Sequence, residues 1–274
     1  MSDIPEYRVY ALRYATRSAM RKDHFIGGDP HDGPMPMDYY VWTIAGPTGV
    51  IVVDTGFTAE VGAERKRQYL AQPTELLKQC GIEADEVSDV VLTHLHYDHA
   101  GNLDRFANAV FHVQEEEVSY ATGRYMCFHR FRHGYEVDDV VEMVRLVYKD
   151  RVRFYKGDSD LLPGITLHRI GGHTAGLQCV RVHTARGWVV LASDTAHFYE
   201  NFETNRPFSS VFHVGEMLEG FNRLKELADT PNHIIPGHDP AVMNRYPAEK
   251  GLEGKVVRLD LPPLQPCPRQ EFHG

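Results

Sequence analysis

Cysteine is scarce in this chain, with four among 274 residues. Cys80, Cys127, Cys179 and Cys267 lie far apart, and no two of them form a C-x-x-C pair. Disulfide-stapled domains and thiolate zinc sites both need cysteines in close or regular spacing. The pattern therefore argues against either class of protein.

Long apolar runs are also absent. No stretch of the sequence approaches the ~20 apolar residues that a membrane helix needs. Residues 1–23 contain no apolar region of the kind found in a secretory signal peptide. We therefore expect a cytoplasmic protein that does not work at a membrane.

Basic residues are in the minority: 29 Lys and Arg face 38 Asp and Glu, which gives a net charge of −9. This balance argues against a nucleic-acid binder that acts by neutralising phosphates. A composition with 42% hydrophobic and 24% charged residues is typical of a globular protein, and we interpret residues 1–274 as a single domain.

Histidine, in contrast, is frequent, with 16 residues. Several histidines follow short apolar runs that are rich in β-branched residues, a pattern that predicts buried strands. These runs are 49–53, 89–93, 165–170, 188–192 and 233–235. Each run ends in a polar cluster, so we expect those clusters to share one edge of a layered sheet, where α/β proteins place their sites.

Helical segments alternate with these strands, which predicts an α/β layered fold. We expect helix over 58–80, with a break at Pro73, and over 213–229. Residues 114–150 read as a mainly helical insertion, and either a lid over a site or a surface helical hairpin accounts for it. The Gly- and Pro-rich segment 23–38 predicts a loop, and 262–274 a flexible tail.

The motif that carries chemistry is Thr93-His-Leu-His-Tyr-Asp-His99, an H-x-H-x-D-H pattern. In an extended segment alternate side chains share a face, so His94 and His96 can reach one metal ion. Asp98 and His99 can address a second ion where the chain turns toward the next helix. Imidazole and carboxylate ligands without thiolate suit Zn²⁺ and would also accept Fe or Mn. His173, Asp194 and His238 follow other predicted strands and are candidates for the remaining ligands.

In these motifs the sequence resembles the metallo-β-lactamase superfamily, and within it the N-acyl-homoserine lactonase-like hydrolases. The resemblance covers residues 41–240 and follows the family order: Asp-Thr-Gly at 54–56, the H-x-H-x-D-H motif, Gly-Gly-His at 171–173, Ser-Asp-Thr at 193–195 and Pro-Gly-His-Asp at 236–239. It implies an αββα sandwich with a dinuclear metal site at one edge of the sheets.

The resemblance also implies the role of each residue. One metal would be held by His94, His96 and His173, the other by Asp98, His99 and His238, with Asp194 and a hydroxide bridging the two ions. Asp54 matches a position that holds a ligand loop without binding metal.

One position departs from the family pattern. Lactonases of this kind carry a tyrosine three residues after the bridging aspartate, where it hydrogen-bonds the substrate carbonyl. Here that position is His197, and Tyr199 stands at a different offset. We expect His197 or Tyr199 to assist catalysis, with simple packing as the alternative for His197.

The function that the resemblance implies is metal-dependent opening of a lactone ring by attack of the bridging hydroxide, with Asp98 giving a proton to the leaving group. An N-acyl-homoserine lactone substrate would make this activity quorum quenching, and a related small lactone is equally open. The alternative is another carbonyl substrate at the same dinuclear site: a catabolic cyclic ester or amide, an aryl ester or a thioester. A diiron redox protein and a non-catalytic binding module are more distant alternatives.

The substrate pocket is expected between the 23–38 loop, the 114–150 insertion and the segment after Asp194. The candidate contacts are Phe25, Phe128, Arg130 and Phe198. These segments are aromatic and partly basic, so we expect a small-molecule substrate with an apolar portion and an anionic group. The protein is expected to need no nucleic-acid partner, and a homodimer is a further expectation.

Overall fold

The computed structural model describes residues 4–47 and 49–264. Its strands are β1 (Arg8–Arg17), β2 (Met37–Gly46), β3 (Gly49–Val53), β4 (Gln68–Tyr69), β5 (Asp89–Val91), β6 (Val110–Gln114), β7 (Val152–Tyr155), β8 (Ser159–Leu162), β9 (Ile165–Arg169), β10 (Gln178–Thr184), β11 (Gly187–Ser193), β12 (Ile234–Pro236) and β13 (Val256–Arg258).

The α-helices are α1 (Arg21–His24), α2 (Ala59–Glu64), α3 (Pro73–Gln79), α4 (Glu115–Ala121), α5 (His129–Arg132), α6 (Val137–Tyr148), α7 (Tyr199–Glu203), α8 (Val214–Leu227) and α9 (Ala241–Arg245). Short 3₁₀ turns lie at Ala84–Glu86, Leu103–Arg105, Arg124–Cys127 and Pro231–His233.

Two sheets form the centre of the molecule. The first has the strand order β13-β1-β2-β3-β5-β6-β7, and β4 pairs with β1. The second has the order β12-β11-β10-β9-β8. Strands β3, β5, β6 and β7 run parallel to one another, as do β11 and β12.

The alternation of apolar residues along the strands divides the core into two layers. In β1, Val9 and Ala11 pack in a cluster that also contains strands of the second sheet and α8. Tyr10 and Leu12, on the opposite face, pack in a cluster with residues of α3 and α6. Because successive side chains of a strand point to opposite faces, the order of the layers is α-β-β-α. The expected αββα sandwich is confirmed.

The strand expectations are confirmed to within a few residues, as is the helix at 213–229, which spans Val214–Leu227. The expectation of helix over 58–80 is partly wrong. That segment contains α2, then β4, then α3, and Pro73 begins α3 instead of breaking a helix. Proline at the first position of a helix loses no hydrogen bond, which explains its tolerance there.

The insertion at 114–150 is mainly helical, as expected, and contains α4, α5 and α6. Of the tail expected at 262–274, residues 265–274 lie outside the described residues, as does Cys267. Among the helices of the described chain, none has the length and apolar character to cross a bilayer.

The polar clusters that follow the strands come together at one edge of the sandwich. Asp54 follows β3, His94 follows β5, and Asp194 follows β11. Asp54 and Ser193 adopt positive φ values of 62° and 47° at these turns. The hydroxyl groups of Ser193 and Thr93 lie 2.8 Å apart, so the strand ends of the two sheets are in direct contact.

Candidate active site

The H-x-H-x-D-H motif forms a buried turn at this edge. The backbone N–H groups of His99 and Ala100 both donate to the carbonyl of His96, which tightens the turn. His94 is fully buried, and His96 and Asp98 are each 8% exposed. The turn thus presents its imidazoles and its carboxylate from one short segment.

Seven side chains converge at the strand ends. Their potential ligand atoms form overlapping groups within 4.8 Å, and three of these groups cover all seven: His94 with His96 and His173, His94 with His99 and Asp194, and Asp98 with His99 and His238. These are the seven residues that the sequence offered as metal ligands.

The carboxylate of Asp194 lies between the two histidine groups. Its Oδ1 is 3.0 Å from His238 Nε2 and 3.3 Å from His99 Nε2. Its Oδ2 is 3.2 Å from His173 Nε2. Each oxygen therefore faces a different group of imidazoles, which is the arrangement that a bridging carboxylate requires.

The donor atoms fit a divalent metal centre. His94 Nε2, His99 Nε2 and Asp194 Oδ1 are buried and have no hydrogen-bond partner among the described residues. An unpaired buried polar atom is costly, and a cation would satisfy all three. Imidazole and carboxylate without thiolate are ligands for Zn²⁺, Fe or Mn.

Hydrogen bonds on the far side of the rings fix their orientation. His99 Nδ1 donates to Asp54 Oδ2 at 2.7 Å, His173 Nδ1 to the Ser210 carbonyl at 2.6 Å, and His238 Nδ1 to the Asp38 carbonyl at 2.9 Å. In each ring Nε2 is then the nitrogen without a proton and faces the centre, as in metal-ligating histidines. Asp54 also accepts hydrogen bonds from the N–H and hydroxyl of Thr93, the residue before the motif.

The electrostatics of the centre favour an ionised carboxylate at Asp194 and neutral imidazole at His94 and His96. Burial lowers the pKa of His94 and of His96 well below the ordinary value. Burial alone would raise the pKa of Asp194, but the surrounding histidines, with His238 the strongest, hold it well below its usual range. Burial alone would lower the pKa of His99, but the carboxylates of Asp54 and Asp194 raise it well above the ordinary value.

His197 lies beside the centre, whereas Tyr199 does not. His197 Nε2 is 2.9 Å from Asp194 Oδ2, and its ring stacks on Phe208 with centroids 3.6 Å apart. Tyr199 is buried in the core, with the guanidinium of Arg245 3.6 Å from its ring centroid. Tyr199 therefore does not line the cavity, and the expectation that it contacts substrate is not met.

A cavity of about 330 Å³ opens onto the centre. Besides Asp98, Asp194, His96, His173, His197 and His238, its walls come from β1 and β2, from the segment just before β4, from residues 209–211 and from the helical segment at 114–150. Tyr120, Arg130, Phe131, His133 and Gly134 are the lining residues of that segment.

Of the four expected pocket residues, Arg130 alone lines this cavity. The Phe25 ring is covered by the guanidinium groups of Arg206 and Arg21. Phe198 packs edge-on against His24, and Phe128 is 56% exposed. These three rings belong to the right segments but point into the core or to solvent.

Several residues of the site were missed. Arg17, Arg65 and Arg67 line the cavity, and nothing in the sequence pattern connects β1 with β4. Glu117 is fully buried behind the centre and accepts four hydrogen bonds, from the N–H groups of Leu95 and Gly176 and the hydroxyls of Tyr135 and Thr174. In the sequence, Glu117 stands out only as the last of three consecutive glutamates, which follow β6.

Residues 35–253 match the family described as the metallo-beta-lactamase superfamily. The chain is 31% identical over 221 residues to an N-acyl homoserine lactonase from a Bacillus species, covering 74% of this chain and 82% of the relative. The chain belongs to the metallo-β-lactamase superfamily. The resemblance to the lactonases within it, expected from the motifs, is confirmed.

Solved structures agree in fold. A quorum-quenching N-acyl homoserine lactone lactonase superposes with a TM-score of 0.73 at 24% identity, covering 88% of this chain and 95% of that one. AidC, a dizinc quorum-quenching lactonase in complex with a product, superposes with a TM-score of 0.65 at 16% identity, covering 87% and 92%. At these identities the likeness concerns the fold.

Proposed function

We propose that the protein is a metal-dependent hydrolase that opens a lactone ring. One divalent ion would be held by His94, His96 and His173, the second by Asp98, His99 and His238, with Asp194 shared between them. The observation that carries this proposal is the Asp194 carboxylate, whose two oxygens face two different groups of histidines. The lactonase activity of the relatives supports the choice of a lactone.

Zn²⁺ is the ion that we propose, since it suits nitrogen and carboxylate ligands and one of the structural neighbours is a dizinc lactonase. Fe or Mn would fit the same ligands. Two divalent ions would supply Lewis acidity, which would polarise a bound carbonyl and bring the pKa of a coordinated water near neutrality.

The chain itself supplies orientation and proton transfer. Asp98 Oδ2 lies 3.7 Å from both His99 Nε2 and His238 Nε2, and the residue lines the cavity. We assign to Asp98 the transfer of a proton from the attacking water to the alkoxide that leaves when the ring C–O bond breaks. Asp98 is thus positioned between the histidine group and the substrate space.

His197 acts as a positioning residue for Asp194 in this proposal. Burial lowers the pKa of His197 to about 3, so its ring is neutral near pH 7. Its Nε2–H donates to Asp194 Oδ2, and Phe208 fixes the ring plane. The family tyrosine would contact the substrate carbonyl, whereas His197 contacts the carboxylate between the two metal sites.

Further parts of the proposal concern the whole chain. The helical segment at 114–150 is a wall of the cavity and a candidate lid, supported by the five lining residues it contributes. We also propose a single-domain cytoplasmic enzyme without a membrane partner. The net charge of −9 supports the further proposal that it has no nucleic-acid partner. A homodimer stays a prediction.

A hydrolysis panel on protein of known metal content tests the proposed function. It compares hexanoyl-homoserine lactone, γ-butyrolactone and a δ-lactone with an aryl ester, a thioester and a β-lactam. We expect the highest kcat/KM for a lactone and its loss in His96→Ala. His31→Ala, at an exposed ring outside the centre, is the matched control. Preference for a non-lactone, or lactone turnover by His96→Ala at the control's rate, would refute the proposal.

A further inference from the structure

Three arginines line the cavity without a carboxylate partner. Among the described residues, no Asp or Glu forms a salt bridge with Arg17, Arg67 or Arg130, whereas the fourth lining arginine, Arg65, pairs with Glu136 at 2.7 Å. Their contacts are to neutral groups. Arg17 Nη2 lies 2.8 Å from the Met37 sulfur, Arg67 Nε donates to the Tyr97 hydroxyl at 3.0 Å, and Arg130 donates to the Ser209 carbonyl.

Arg17 and Arg67 lie side by side on one wall. Strand β4 runs antiparallel to β1 with Thr16 opposite Gln68, so the next residues in register are Arg17 and Arg67. Both are half-buried, whereas Arg130 is exposed. Charge is screened less where water is partly excluded, so this pair should act on a bound anion more strongly than Arg130 does.

Neither arginine of the pair has a carboxylate within salt-bridge distance among the described residues. Two adjacent like charges repel, and a thioether sulfur is a weak acceptor for a guanidinium. The remaining acidic lining residue outside the metal centre is Asp23, which is exposed and forms no salt bridge with either arginine. Because the chain as a whole is acidic, a basic wall is a local feature of the cavity.

We propose that Arg17 and Arg67 bind a carboxylate of the substrate, outside the bond that is cleaved. This inference rests on the proposed function and makes the substrate class a small lactone that carries a carboxylate. A guanidinium matches a carboxylate in geometry and charge. A cavity of about 330 Å³ is at the lower end of the usual range for ligand sites, which suits such a compact molecule.

The test is a matched pair of substrates. 5-Oxotetrahydrofuran-2-carboxylate and its primary carboxamide have the same ring and nearly the same size, but only the first is an anion. kcat and KM are measured for both, and for γ-butyrolactone, on metal-loaded protein. We expect the carboxylate to be preferred over the amide in kcat/KM by about tenfold or more, mainly through KM.

Variants test whether Arg17 and Arg67 cause the preference for the carboxylate substrate. In Arg17→Gln the preference should fall about tenfold, and Arg17→Lys should retain part of it because the charge remains. The matched control is Arg8→Gln, at an exposed arginine at the other end of β1, which should keep the wild-type preference. Arg67→Gln provides a second variant from the neighbouring strand.

The outcomes separate the two proposals. Equal turnover of the carboxylate and the amide, or an unchanged preference in both Arg17→Gln and Arg67→Gln, would overturn the inference while lactone hydrolysis stands. If none of the lactones is hydrolysed, the proposed function itself fails. A preference that falls in either variant and persists in Arg8→Gln supports the inference.

Discussion

The hydroxyl of Thr174 donates a 2.6 Å hydrogen bond to Oε2 of Glu117, and so ties the loop that carries His173 to a buried carboxylate. The other oxygen, Oε1, accepts from the Leu95 N–H at 3.0 Å, inside the H-x-H-x-D-H motif. One carboxylate therefore holds two loops in a fixed relation. The loops come from different sheets, and each carries proposed metal ligands.

Replacing Glu117 with Gln should loosen both loops. An amide nitrogen cannot accept a hydrogen bond, so two of the four donors lose their partner. We expect a loss of about 1–3 kcal/mol in the free energy of unfolding and about tenfold in metal affinity, measured by urea unfolding and by chelator competition. Glu116→Gln removes an exposed ion pair with Arg169 and serves as control. Equal behaviour of the two variants would contradict this role.

Gly134 should be intolerant of any side chain. A Cβ at this position would lie 2.6 Å from Cδ2 of His96, so Gly134→Ala must displace that ring. We expect the variant to fold and to lose metal affinity by about tenfold or more, measured as bound metal per protein after dialysis. Gly33→Ala is the control, because a Cβ there meets nothing within 4 Å. Full metal content in Gly134→Ala would show that His96 does not bind metal in the way proposed.

The variant His197→Phe tests whether His197 positions Asp194 or binds a metal ion. Phenylalanine keeps the stacking on Phe208 but removes the hydrogen bond to Asp194. We expect kcat to fall by about tenfold, with KM and bound metal nearly unchanged, because the lost bond is worth roughly 1–2 kcal/mol. Unchanged kcat would assign His197 a packing role, and loss of metal would make it a ligand.

Asp139, near the start of α6, should give a pH-dependent stability effect. Burial, together with the neighbouring Glu136 and Asp138, raises its pKa to about 7. Between the unfolded and folded pKa values the folded state holds an extra proton, so this group destabilises the fold as pH rises from about 4 to about 7. Asp139→Asn should therefore stabilise the protein at about pH 8 by about 1 kcal/mol or more and much less at about pH 5.

Urea unfolding at both pH values measures this difference. The control is Asp160→Asn, at an exposed residue of β8 away from α6, where we expect little change at either pH. If Asp139→Asn has the same effect at both pH values, Asp139 does not remain protonated in the folded protein.

The sequence predicted the candidate metal ligands because these His and Asp residues follow the ends of predicted strands. Short β-branched runs followed by His or Asp located the seven converging residues, because the strand direction alone fixes which ends share an edge. The direction of a loop side chain depends on tertiary packing. For that reason Phe25, Phe128 and Phe198 were assigned to the pocket, although two of them pack inward and one faces solvent.

Strand β4 and the place of Arg67 on the cavity wall were not predicted, for one reason. Residues 58–80 resemble helix throughout, and the two-residue strand β4 inside them is held by its pairing with β1, more than 50 residues earlier. That pairing brings Arg67 next to Arg17 and onto the cavity wall. A long-range strand pair of this length leaves no periodicity in the local sequence.

The most direct test of the proposed dinuclear centre is a metal titration with two readouts on one sample. Metal is removed with a chelator, returned in steps, and bound metal per protein is measured together with lactone turnover. We predict negligible lactone turnover without metal, and activity that rises until two ions are bound per protein. We expect Asp194→Asn to be impaired in both turnover and bound metal. Full lactone turnover by the metal-free protein would contradict this account.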